Sequence, residues 1–371
     1  MESKAKSLYV HVPFCEHICA YCDFMRVGYH PLLVKKYLDA LAKQLQPYKN
    51  DRFDTIYIGG GTPTSLNEDE FSSLLSLFTD LRSELCEMTL EANPENFSEE
   101  KIKMAVHYGV NRISLGVQTT HPHLLKIITR THQPADVSQV IELCIAHGLT
   151  NLSLDAMYGL PFQKMEDFES TLEWMIAQNI PHISLYALTI EPNSAFGRQK
   201  IEPVDNELEG QFYLRAIEIL TAAGYSHYEI SNFAKNDQMS KHNLAYWHYD
   251  DFVAMGPGGS GKEHHQRYTN TRNLETYFND ETAKDERIEL SVEDEMFETM
   301  MMGLRVKEGV SLTRFYQRYG VDPKDIYPKS VKKYSDCGWL RVDDTSIALN
   351  ETGRQFLHDV LVDMMDEVIN P

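Results

Sequence analysis

Residues 13–24, PFCEHICAYCDF, decide the reading of this chain, because Cys15, Cys19 and Cys22 stand there in a C-x3-C-x2-C spacing. They follow Ser7–Val12 (SLYVHV), a short run of the apolar, β-branched kind that forms a strand. Three thiols on one loop after a first strand point to metal ligation, since thiolates bind soft and borderline metals. Zinc would take a fourth ligand, and His11, His17 and Asp23 are close enough in sequence to offer one. A 4Fe–4S cluster held by three thiolates would leave one iron without a protein ligand, whereas ferredoxin-type clusters use four cysteines. An open iron can accept a chelating small molecule instead.

Working outward, the first half repeats a strand–turn–helix theme. Residues 7–12, 55–58, 88–92, 112–115, 152–155 and 183–188 read as strands, and 33–45, 67–78, 97–107, 135–147 and 164–176 as helices. Asn67 followed by Glu70 is a capping-box pair, and Gly109 and Gly148 punctuate two helix ends. Six such units in order predict a parallel sheet with helices outside, a partial (β/α)6 barrel of α/β class. In such barrels chemistry gathers at the C-terminal strand ends.

After residue 190 the pattern is less regular. A helix is expected over 207–221, extended chain over 226–233 and 251–255, and a glycine-rich turn at 256–261 (GPGGSG). Helices over 293–304, 311–319 and 328–337, a hairpin from 339–342 and 346–349, and a last amphipathic helix over 351–368 give a winged-helix-like order. The expected division is 1–233 for the barrel, 234–290 for an α+β extension and 291–371 for the C-terminal module.

Composition limits the function. The chain has 371 residues, 42% of them hydrophobic, and a formal charge of −20. It can bury a sizeable core, and its acidity argues against general binding to phosphate backbones. No apolar run is long enough to span a bilayer and no secretory leader is visible at the start. Six clustered cysteines suit a reducing cytoplasm better than a disulfide scaffold. A DNA-binding reading of the C-terminal module is weak, because residues 311–371 hold eight Lys and Arg against ten Asp and Glu. Thr299–Met302 (TMMM) reads as core, with a soft partner surface as the alternative. Cys86, Cys144 and Cys337 lie in regular patterns and read as buried free thiols.

Polar residues mark the strand ends. Gly59-Gly60-Gly61-Thr62-Pro63 follows the second strand, and glycines let backbone approach a ligand, or simply turn. Glu91, Gln118 and Asp155 close the next three strands, and Arg130 follows in LLKIITRTH. Each alone could be a surface residue; together, on successive strand ends, they form a candidate binding set.

With its C-x3-C-x2-C loop after the first strand, the chain resembles the radical S-adenosylmethionine (SAM) superfamily. There three cysteines hold a 4Fe–4S cluster, SAM chelates the open iron, and reductive cleavage can give a 5′-deoxyadenosyl radical. YVHVPFCEHICAYCDF, YIGGGTPTSL, EANPE, RISLGVQT, LDAMYGLPFQ, SLYALTIEP, YEISNFAK, HNLAYW and MMGLRVKEGVSL together are similar to the anaerobic coproporphyrinogen-III-oxidase-like (HemN/HemW) family over nearly the whole chain. The resemblance implies Tyr9, Tyr21, Gly60, Gly61, Thr62, Glu91, Gln118, Arg130 and Asp155 at the SAM site.

Two features then separate the branches of that family. The decarboxylating oxidases carry a further cysteine two places after the third ligand, where this chain has Phe24, and an N-terminal extension for which Cys15 leaves no room. Both point to the heme-chaperone branch, with oxygen-independent coproporphyrinogen III oxidation as the alternative. The motif His242-Asn243-x-x-Tyr246-Trp247 resembles that branch's heme-associated motif. An imidazole can ligate heme iron and the aromatic pair offers flat apolar area. His227, His264 and His265 are rivals as ligand, as are Cys and Tyr side chains. The resemblance further implies heme b, acceptor hemoproteins of respiratory type, a homodimer and peripheral membrane association. One departure is that Gly259 and Gly261 stand where the family's turn has Ala and Ser, which puts its detailed contacts in question.

Overall fold

The computed structural model describes residues 6–369; the first five residues of the segment read for a leader lie outside that range. Six strands follow one another in sequence and in space: Ser7–Val12 (β1), Phe53–Gly60 (β2), Arg82–Ala92 (β3), Arg112–Gln118 (β4), Leu152–Tyr158 (β5) and His182–Ala187 (β6). All five pairings between them are parallel. Alternation along each strand sorts the side chains into two faces. Leu8, Val10, Ile56, Ile58, Met88, Leu90, Ile113, Leu115 and Leu154 lie in the main core under the helices. The other face carries Tyr9, Tyr57, Thr89, Arg112, Ser114, Asp155 and Ser184, so the inner side of this sheet is polar.

The six expected strands and the five expected helices between them are present, the latter as Pro31–Gln44, Glu68–Ser76, Glu99–His107, Pro134–Ala146 and Met165–Ala177. The sheet is wider than six strands. Phe252–Met255 pairs parallel with β1, in register Ser7 to Phe252, as a seventh parallel strand. Ser260–Glu263, Gln266–Asn270 and Lys284–Glu289 continue antiparallel beyond it. On the far edge the extended run expected at 226–233 divides into Ser226–Glu229 and Asn232–Ala234, because Glu229 turns the chain by accepting from the Ser231 amide at 2.8 Å. The order is thus twelve strands in one sheet, and residues 252–289 extend the barrel sheet rather than forming a layer of their own.

Gly261 is explained by its cross-strand partner. It faces Tyr268, and a Cβ there would lie 2.4 Å from that ring. The Tyr268 hydroxyl accepts from the Ala254 amide at 3.0 Å, so a glycine opposite an aromatic closes the turn in this chain.

The C-terminal module has its own core around Met300, Phe315, Ile347 and Val360. Helices Val292–Gly303, Leu312–Tyr319 and Pro328–Asp336 precede the hairpin Leu340–Val342 and Ser346–Leu349, joined by Val310–Ser311 as a third strand. Two expectations need correction. The last helix is two, Glu351–Gln355 and Leu357–Ile369, because Phe356 leaves helical geometry to stack on Trp339 at 4.4 Å. Cys86 and Cys144 are buried as expected, but Cys337 is exposed, since it caps Pro328–Asp336 on the solvent side.

The capping box expected at Asn67 is complete: its Oδ1 accepts from the Glu70 amide at 3.0 Å and Glu70 accepts from the Asn67 amide at 3.1 Å. Asn67→Ala should lower stability by about 1 kcal/mol. Urea unfolding measures this, and an unshifted midpoint would contradict the cap's role.

Candidate cluster and cofactor site

The cysteine loop is tied down on both sides. Phe14–Cys15 pairs with Val27–Gly28, Val27 N donates to Pro13 O at 2.7 Å, and Tyr29 N donates to Cys15 O at 2.9 Å. Across the barrel mouth Ala20 N donates to Ile128 O at 3.2 Å and Phe196 N to Ala20 O at 3.0 Å. Cys15 is buried, and Cys19 and Cys22 are half-buried. Burial pushes the Cys15 thiol up to about 11, against the Thr62 hydroxyl that sits 3.7 Å from its Sγ. Burial likewise raises Cys22, opposed by the Arg26 guanidinium. These thiols hold protons that a metal would displace, so ligation is coupled to proton release.

The three glycines after β2 each answer a separate contact. A Cβ on Gly61 would stand 2.8 Å from the carbonyl oxygens of Val12 and Phe14 and 3.1 Å from Cys15 Sγ. Gly60 has φ +105°, and a Cβ there would strike the His11 ring. One on Gly59 would strike the Glu91 carboxyl. Gly60 N donates to Glu91 Oε2 at 2.9 Å, and Tyr57 donates to Glu91 Oε1 at 2.8 Å. Desolvation nevertheless pushes the Glu91 carboxyl up to about 7. Tyr9, its ring 6.1 Å from that of Tyr57, points its hydroxyl at His11 Nδ1, 3.1 Å away.

Asn93, which the sequence reading passed over within EANPE, connects the set. Its amide donates to Thr62 Oγ1 at 3.1 Å, and Arg130 Nη1 donates to Asn93 Oδ1 at 2.8 Å. Arg130 Nη2 reaches Gly116 O at 2.8 Å, and Glu95 lies 3.5 Å away. Tyr21 lies within the fields of Cys19 and Arg130, with desolvation as the main influence on its hydroxyl. Gln118 holds φ +63° where the β4–β5 register shifts, a left-handed conformation uncommon outside functional or turn positions. Asp155 accepts from Ser114 at 2.7 Å and Ser153 at 3.0 Å; burial raises its pKa and those hydroxyls hold it down. Tyr9, Tyr21, Gly60, Gly61, Thr62, Glu91, Gln118, Arg130 and Asp155 therefore gather on the inner face and mouth of one barrel.

His242 is elsewhere. Helix Lys241–Trp247 is capped by Ser240, and its first amides donate to Glu87 Oε1 at 2.9 and 3.3 Å, near the starts of the strands. His242 is 1% exposed. Its Nδ1 meets Thr55 Oγ1 and its Nε2 meets Tyr246 Oη, both at 2.7 Å. Burial drives its pKa down to about 3, so it is a neutral ring with both nitrogens committed. It stacks on Tyr57 at 5.1 Å, and Tyr57 in turn bonds Glu91. Tyr246 packs on Phe252, while Asn243 and Trp247 stay half-buried. His242 and Tyr246 thus pack against β2 and Phe252, away from the cysteine loop.

Comparison with known proteins agrees with this geometry. Residues 9–175 match the radical SAM superfamily and residues 290–356 match the HemN C-terminal domain. The chain is 35% identical over 380 residues to the heme chaperone HemW of Bacillus subtilis, spanning 98% of this chain and 100% of that protein. It is 32% identical to the heme chaperone HemW of Escherichia coli, over 96% of this chain and 97% of that protein. The chain belongs to the HemW family.

The solved structure of coproporphyrinogen III oxidase (HemN) from Escherichia coli, a radical SAM enzyme, superposes with a TM-score of 0.83 over 96% of this chain and 89% of that one, at 21% identity, and so shares the fold of this HemW-family chain. The superfamily implies a 4Fe–4S cluster and SAM. The residues present fit both: three unbridged thiols on one tethered loop, a threonine hydroxyl against one of them, and a glycine surface that admits no side chain. Among the described residues no three Cys, His, Asp or Glu side chains converge as a single metal ion requires, and the thiolates of a cluster, spread over separate irons, need no such point. His11 does not serve as a zinc ligand in this conformation, because its Nε2 donates to Met25 O at 2.7 Å and its Nδ1 faces Tyr9.

The raised Glu91 pKa has a stability consequence. The folded state binds this proton more tightly than the unfolded chain, so the contribution favouring the fold is present at low pH and lost as pH climbs towards 7. Glu91→Gln should therefore be more stable than wild type at about pH 8, with the gap closing by about pH 4. Urea midpoints of SAM-free protein at both pH values check this; a pH-independent difference would contradict it.

Proposed function

We propose that this chain is a heme chaperone, binding heme and handing it to acceptor hemoproteins. The observation that carries the reading is the end-to-end relationship to heme chaperones named HemW, at 35% identity over 98% of the chain. Cys15, Cys19 and Cys22 would hold the cluster, with SAM on its open corner. A bound cluster with SAM supplies one-electron reduction of a sulfonium. This chain's residues bind and orient around it: Gly60 and Gly61 admit backbone contact, Thr62 supports Cys15, and Glu91 and Asp155 offer carboxylates to cationic groups. Tyr9, Tyr21, Gln118 and Arg130 complete the SAM contacts.

The finer parts belong to the same proposal and rest on family membership: heme b as the bound form, respiratory hemoproteins as acceptors, a homodimer, peripheral membrane contact and a cytoplasmic location. No helix among the described residues is long and apolar enough to cross a membrane. Phe24, in place of the oxidases' extra cysteine, is 62% exposed beside the cluster loop, which supports a surface for another molecule there rather than a fourth thiol.

The fold shared with coproporphyrinogen III oxidase sets the competing reading. Reduced, cluster-loaded protein incubated anoxically with SAM and coproporphyrinogen III should give no protoporphyrinogen, while hemin should bind saturably with a shifted Soret band. Protoporphyrinogen formation, or no hemin binding, would contradict the chaperone reading.

A further inference from the structure

Beneath the strand ends that carry the cofactor set, the inner face of the sheet holds one residue whose charge burial does not remove. Arg112 is the first residue of β4 and is 2% exposed. It lies directly opposite Thr89 on β3, so Glu87 and Glu91, two places to either side of Thr89, are its diagonal neighbours on the same face. The six strands contain one other Lys or Arg, Arg82 at the start of β3, which donates to the carbonyls of Thr79 and Gly109 instead.

The Arg112 guanidinium has no close partner. Its Nη2 comes 3.4 Å from His182 Nδ1, and its Nε has no hydrogen-bond partner among the described residues. The His182 ring is already committed. Tyr228 Oη accepts from the Ser240 amide at 3.2 Å and so donates to His182 Nε2 at 2.8 Å. That order assigns the ring proton to Nδ1, which donates to Ser153 Oγ at 2.8 Å, and Ser153 donates on to Asp155 Oδ1 at 3.0 Å. Arg112 therefore faces an N–H rather than a lone pair.

A cation taken out of water without a partner is costly unless nearby anions offset it. Three carboxylates do so. Burial pushes Glu87, Glu91 and Asp155 upward, and besides the hydroxyl and amide donors on each, the Arg112 charge opposes that rise in all three. Lys241 reaches Glu87 alone of the three. Tyr9, Tyr57, Tyr186 and Tyr246 also face Glu91, but burial raises all four hydroxyls, so they stay uncharged. Burial lowers His182 and His242, so both rings are neutral as well. Glu91 and Asp155 repel each other, and Arg112 is the cation that opposes both.

We propose that Arg112 is a positioning residue for SAM: it keeps Glu91 and Asp155 in the anionic form that meets a cationic ligand, and so sets the lower pH limit of SAM binding. It acts through those carboxylates, from the layer beneath them. This rests on the reading that SAM binds at Glu91 and Asp155.

The test measures SAM affinity of full-length, cluster-loaded protein by equilibrium dialysis between about pH 6 and about pH 8.5. Wild type should lose affinity as pH falls through about 7. Arg112→Met should move that loss upward by about one pH unit, weakening SAM about fivefold at about pH 7 and less than about twofold at about pH 8.5. Arg112→Lys, which keeps a cation, should restore the wild-type profile. Cluster absorbance reports that each variant has formed its cysteine loop. A loss of equal size at every pH in Arg112→Met would make the residue merely structural and overturn the proposal. A wild-type profile that is flat over this range would also overturn it, and that result needs no variant to fold. Failure of wild-type protein to bind SAM at any pH would instead overturn the SAM reading beneath it.

Discussion

Everything at the mouth of this barrel hangs on how closely the end of β2 approaches the backbone that leaves β1. Gly61 N donates to Val12 O and Thr62 N to Phe14 O, both at 2.8 Å, and Gly61 has no space for a side chain. This backbone contact fixes Phe14 and Cys15 against the sheet before the loop begins. From Thr62 a polar chain runs through Asn93 to Arg130 and the Gly116 carbonyl, so the second, third and fourth strand ends are bound to the same point. Rigid backbone places Cys15, while Cys19 and Cys22 are left on a half-buried loop.

The polar face of the strands gives the barrel a second property. Glu91 bonds Tyr57, Tyr57 stacks on His242, and His242 bonds Thr55 and Tyr246. Side chains thus touch continuously from the barrel mouth to the helix Lys241–Trp247. Within the motif His242-Asn243-x-x-Tyr246-Trp247, His242 bonds both Thr55 and Tyr246 and stacks on Tyr57. Its histidine is satisfied twice over, so its chemistry is that of a neutral hydrogen-bonding ring.

Local signals were readable where neighbours in sequence do the work. The six strands, the Asn67 capping box, the C-terminal hairpin and the cysteine spacing all depend on residues within a few positions of each other. What was not readable depends on distant partners. Phe252–Met255 becomes a parallel strand only because β1 has a free edge. Phe356 interrupts a helical pattern because Trp339 offers a face to stack on. Tyr57 and Asn93 lie inside the motifs YIGGGTPTSL and EANPE, but their roles follow only from facing Thr62, Glu91 and His242 across strands.

The account rests on three thiolates leaving one corner of an iron–sulfur cube open. EPR of the anoxically reconstituted, reduced protein before and after adding SAM measures this most directly. A 4Fe–4S signal whose g-values shift on adding SAM, as the open iron gains a ligand, is the predicted result. An identical spectrum with and without SAM, or no cluster signal at all, would contradict the account.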